Sequence, residues 1–165
     1  MKKEIEQDFA AVFAAHADKQ LRAQQVATEK KQQEQTFLDD FNAHCAAVIR
    51  PALDALVAYV QGNGVRAEVE ETKAGTESGG AVRPASIGIY FLIGDERLVH
   101  HGSHRDRPNF TIQCAERERK VHFFQSTIAP GRGGQSGSEG TGLLAEVTEE
   151  FIQKRVLALL KKILL

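Results

Sequence analysis

VAYVQGNGVRAEVEET, residues 57–72, contains the point at which the chain changes its hydrophobic period, and that change decides the fold class. Upstream, apolar residues recur by threes and fours at Phe37, Phe41, Cys45, Val48, Ala52, Leu56 and Tyr59. A second row, Leu38, Ile49, Leu53, Val57 and Val60, lies beside the first, so this helix is expected to be covered on two sides. Downstream, Val65, Ala67 and Val69 alternate with Arg66, Glu68 and Glu70, the period of a strand with one dry and one wet face. Between them Gly62-Asn63-Gly64 supplies residues that tolerate a left-handed cap. Pro51 interrupts the helical pattern, where it lacks a backbone donor and should kink or restart the helix.

The strand period persists beyond this point. KAGTESGGAVRP, residues 73–84, reads as a flexible connector into SIGIYFLIG, where Ile87, Ile89, Phe91 and Ile93 alternate with Gly88, Tyr90 and Leu92. Apolar residues on both faces mark a central strand. Asp95-Glu96-Arg97 then turns the chain toward Leu98-Val99. FTIQCAE and KVHFFQSTI, joined by Arg117-Glu118-Arg119, are expected to form a hairpin with Phe110, Ile112, Cys114, Val121 and Phe123 on one face. GRGGQSGSEGTG, residues 131–142, is expected as a second flexible loop. The last segment, VTEEFIQKRVLALLKKIL, carries helix signals that agree with one another: a Thr148 cap, a Val147–Ile152 staple, early glutamates and late lysines. Its Ile152, Val156, Leu159, Leu160 and Ile163 should lie on the sheet.

Residues 2–35 are rich in Ala, Gln, Glu and Lys without Gly or Pro, a helix-forming composition with little to bury. A heptad register places Phe9, His16, Ala23 and Lys30 at one seam position and Ile5, Val12, Lys19, Val26 and Gln33 at the other. Lysine and glutamine on a seam weaken a coiled coil, so the segment is anchored through Ile5, Phe9, Val12 and Phe13. Thr36 and Asp39 resemble the start of the next helix. The expected architecture is α+β: a long N-terminal helix, a second helix, a four- to five-stranded antiparallel sheet, and a C-terminal helix packed on that sheet. Residues 1–35 are expected to form a long polar helix, either an oligomerisation arm or a helix packed on its own domain, and residues 36–165 one α+β domain with flexible loops at 73–84 and 131–142.

With 165 residues, 26% charged and a formal net charge of −1, the chain has room for one core and no charge bias toward a polyanion. Cys45 and Cys114 lack C-x-x-C spacing and read as buried thiols of a reducing compartment, so the expected location is cytoplasmic. The opening MKKEIEQDFAAVFAAHA imitates a secretion leader, but Glu4, Glu6 and Asp8 stand where a basic region belongs, and it reads as helix. No uninterrupted apolar run reaches the roughly 18 residues of a membrane span.

Sharper chemistry is confined to LVHHGSHRDRPN, residues 98–109, with three histidines in five positions. Adjacent His100 and His101 point to opposite faces of a strand, so a shared ion needs His101, His104 and Asp106 on a curled loop. Ser103 lacks a G-x-S-x-G setting, and the glycine loop at 131–142 lacks a Lys-Ser or Lys-Thr ending. Cys114 and His122 could meet across the hairpin only if Cys114 left its apolar register. Between residues 95 and 120 six Lys or Arg face five Asp or Glu, a balance of +1 that disfavours nucleic acid. These readings predict a non-enzymatic interaction, scaffolding or adaptor protein, a homodimer or a binder of another protein through Ile5, Phe9, Val12 and Phe13, with no cofactor. The competing expectation is a metal-binding protein or metal-dependent enzyme centred on His101, His104 and Asp106.

Overall fold

A computed structural model describes residues 2–95 and 107–165. The chain divides into two compact units, Met1–Thr36 and Phe37–Leu165. The division falls inside α1, Lys3–His44, which is continuous through Thr36. Thr36 was the expected start of a new helix, but its hydroxyl donates to the Gln32 carbonyl at 2.9 Å, the back-bond of a residue inside a helix. With no Gly or Pro nearby, nothing breaks the ladder there.

In the second unit the end of α1 runs into one π turn, Cys45–Ile49, and then into α2, Arg50–Gly62. Pro51 explains the sequence of turns. The Arg50 N–H reaches back five residues to the Cys45 carbonyl, and Pro51 enters the first turn of α2, where a missing donor costs nothing. At the other end Val65 N–H donates to the Val60 carbonyl at 2.9 Å and Gly64 N–H to that of Gln61 at 3.0 Å. Gly64 takes φ +83, so this is the glycine-capped ending expected from the sequence.

The main sheet, among the described residues, has the order β1-β4-β5-β6-β7 and every neighbouring pair is antiparallel. Its strands are β1 Ala67–Thr72, β4 Ser86–Phe91, β5 Asn109–Ala115, β6 Lys120–Ser126 and β7 Ser136–Gly142. In the connector at 73–84, β2 Gly75–Thr76 and β3 Val82–Arg83 pair as a short ribbon, with Arg83 Nε donating to the Lys73 carbonyl at 3.2 Å. The β5–β6 hairpin sets Ile112 opposite Phe123 and Cys114 opposite Val121, so the five apolar residues share one face as expected. The stretch expected as a loop at 131–142 contains β7. Seven residues of Ser, Gly, Glu and Thr carry no apolar signal, but the outer edge of β6 offers them a ladder, and Gly140 at φ +102 lies in the bulged part of the pairing.

α2 and α3, Glu149–Leu164, cover one face of this sheet. Ile87, Ile89, Phe91, Phe110, Ile112 and Val121 meet Phe41, Ile49, Leu53, Ile152, Val156 and Leu159 in a continuous core. Each such side chain contributes roughly 1.5–3 kcal/mol on burial. α3 starts as expected, with the Phe151 N–H donating to Thr148 Oγ1 at 3.2 Å and both Val147 and Ile152 fully buried. By length and composition the helical stretch Lys3–Gly62 contains a segment apolar enough to cross a membrane. Of its apolar residues, Cys45, Ile49, Ala52, Leu53 and Val60 belong to the core of the second unit.

Candidate functional site

The His101, His104 and Asp106 set lies outside the described residues. Among the described residues no group of three His, Cys, Asp or Glu side chains is placed to hold a metal ion. Two of the other histidines have local partners. His44 Nε2 is 2.7 Å from the Val147 carbonyl and ties the end of α1 to the entry of α3. His122 Nε2 is 2.9 Å from Glu118 Oε2 at the hairpin turn. His16 is exposed on α1.

Among the described residues, Cys114 and His122 are not placed for nucleophilic chemistry. His122 stands opposite Gln113, one register step from the Cys114–Val121 pair, so His122 and Cys114 belong to opposite faces of the sheet. Burial, reinforced by the charge of Glu116, pushes the Cys114 thiol up to about 12. Burial likewise raises Cys45 to about 12, with Glu71 and Cys114 adding to the effect and Lys73 opposing it. At neutral pH both are protonated and free of disulfides, poor nucleophiles in a dry core. Arg107 Nη1 pairs with Glu68 Oε1 at 3.1 Å, and Arg117, Arg119 and Lys120 are exposed around the Glu118 turn.

What remains is the surface of the first unit. Ile5, Phe9, Val12 and Phe13 are 45%, 51%, 64% and 67% exposed, and Leu21 and Val26 are exposed with them. The rings of Phe9 and Phe13, one turn apart, stack at 6.5 Å between centroids. Leu21 escaped the sequence reading because it falls outside the heptad seam that carries Phe9, Val12 and Val26. The charges are segregated. Residues 2–18 carry Lys2 and Lys3 against Glu4, Glu6, Asp8 and Asp18, whereas residues 19–31 carry Lys19, Arg22, Lys30 and Lys31 against Glu29 alone. One acidic and one basic half thus follow each other along the helix, bridged by the Asp18–Arg22 pair at 2.9 Å.

No family model matches the chain, and no curated protein or solved structure matches it significantly.

Proposed function

We propose that this protein is a non-enzymatic, self-assembling adaptor whose helical segment before Thr36 pairs antiparallel with the same segment of a second copy. One observation carries the reading. Among the described residues, the core of the second unit draws on nothing before Phe37, while Ile5, Phe9, Val12 and Phe13 face solvent. A helix that polar is seldom stable alone, so its apolar residues need a cover.

Charge complementarity selects the second copy and its direction. A parallel pair sets acidic half on acidic half; an antiparallel pair sets the acidic half on the basic one. An antiparallel register can oppose Phe9 to the partner's Val26 and Val12 to the partner's Ala23. The overlap from residue 5 to residue 30 spans about 39 Å of helix. Each half-exposed apolar side chain contributes about 1 kcal/mol on being covered. Lys19 and Lys30 on the seam subtract from this, so the expected association is micromolar rather than nanomolar. The free, buried Cys45 and Cys114 support a cytoplasmic setting.

The test is the mass in solution of the full chain and of a chain lacking residues 2–30, by sedimentation over a concentration series. The full chain should dimerise and the shortened one stay monomeric. A photo-crosslinking phenylalanine at position 9 should join the partner around Val26 rather than around Phe9. A monomeric full chain, or a dimer indifferent to the deletion, would refute the proposal.

A further inference from the structure

On the helix-covered side of the sheet, the row Val121, Phe123, Gln125 ends in a polar residue. Gln125 stands between Phe110 on β5 and Gly137 on β7, and because Gly137 has no side chain a cavity of 360 Å³ opens beside it. A Cβ placed on Gly137 would meet nothing within 4 Å. Thr127, Gln135, Ser136, Glu139 and Lys162 complete the lining.

Two observations mark this cavity as a ligand site. Gln125 is 8% exposed, and its carboxamide makes no hydrogen bond among the described residues. Leaving such a group unsatisfied costs about 1–3 kcal/mol, so the site calls for an occupant that both accepts and donates. The second observation is charge. Glu139 and Lys162 line the same cavity without pairing with each other; Glu139 leans toward Arg155 at 3.8 Å, and Lys162 has no ion pair among the described residues. A simple carboxylate would satisfy Lys162 but face Glu139. A simple ammonium would satisfy Glu139 but face Lys162. A molecule bearing both charges answers both.

We propose that this cavity binds a small free α-amino acid as its zwitterion. Its carboxylate lies toward Lys162 and its ammonium toward Glu139, and the Gln125 carboxamide donates to the former and accepts from the latter. The volume lies near the lower end of the roughly 300–1,000 Å³ of small-molecule pockets, which suits a ligand of few atoms. The site involves residues 125–162 only and is independent of assembly through the first unit.

The test follows the side-chain NH2 resonances of Gln125 in the full chain during titration with glycine, L-serine, acetate or methylammonium. Glycine and serine should shift them saturably, with acetate and methylammonium weaker by about tenfold or more. Gly137→Val, which narrows the cavity beside Gln125, should weaken the shifts about tenfold or more. Lys162→Met, an exposed substitution that leaves the core intact, should weaken glycine by about tenfold and serves where Gly137→Val does not fold. Acetate binding as tightly as glycine would overturn the zwitterion assignment. Absence of a saturable response to all four probes would show that the cavity holds water alone and would overturn the proposal altogether.

Discussion

Raising the pH should unfold this protein through its two buried thiols. In the fold Cys45 and Cys114 are held at about 12, against 9.0 for the unburied group, chiefly because the core cannot solvate a thiolate. Above pH 9 the unfolded chain releases both protons while the native chain keeps them. The native state then binds more protons than the unfolded one, so stability falls as pH rises. The contribution is fully present below pH 9 and is lost between 9 and about 12. Near pH 10 each thiol is about nine-tenths ionised when unfolded and nearly neutral when folded, a loss of about 1.4 kcal/mol per thiol and about 3 kcal/mol for the pair. The assay is urea unfolding at pH 7.5 and near pH 10 for the native sequence and for the Cys45→Ala, Cys114→Ala double variant. The double variant pays its cavity cost at both pH values, so only the difference in pH dependence reports the thiols. Every other ionisable group is common to both chains. If the two chains lose stability in parallel between these pH values, the reasoning from burial is wrong.

Gly88→Ala should destabilise by about 1–3 kcal/mol, because the new Cβ would stand 2.7 Å from Thr111 Oγ1 and 2.8 Å from the Phe110 carbonyl. Adding Thr111→Ala should recover only part of this loss, since the carbonyl contact remains; an unchanged urea midpoint for Gly88→Ala would contradict the packing. Thr148→Ala removes the acceptor for the Phe151 N–H and should cost about 1 kcal/mol in thermal or urea unfolding, whereas Thr148→Asp should keep most of the stability. Phe9→Ser with Val12→Ser should raise the dimer dissociation constant at least about tenfold by sedimentation while leaving the urea midpoint of the second unit unchanged. Equal association by the doubly substituted chain would remove these residues from the interface.

Much of the second unit was legible because its signals are local and redundant. Alternation alone put Ile112, Cys114, Val121 and Phe123 on one face, and the staple, cap and charges around Thr148 all named the same helix start. β7 was not legible, because an edge strand of Ser and Gly is held by its neighbour's unpaired ladder rather than by side chains of its own. Thr36 misled for a related reason: the same hydroxyl that caps a helix can bond back into one, and only the surrounding backbone decides. Ile5, Phe9, Val12 and Phe13 stand out in the sequence because their seam loses its apolar residues farther along, and they are exposed on the first unit. Gln125 was less visible, since a polar residue continuing an inward row reads as the end of the row unless the small residue opposite it is also known.

The π turn before Pro51 also sets a phase. Phe41 and Leu53 both lie in the core, yet they are twelve positions apart, which in an uninterrupted α-helix of 3.6 residues per turn would leave them about 120° out of alignment. A π turn absorbs one additional residue and brings the two within about 20° of each other. The turn therefore acts as a counted insertion. Deleting Ala46 or Ala47 would leave Phe41 and Leu53 eleven positions apart in a regular α-helix, still within about 20° of each other, so the shortened chain should keep both in the core.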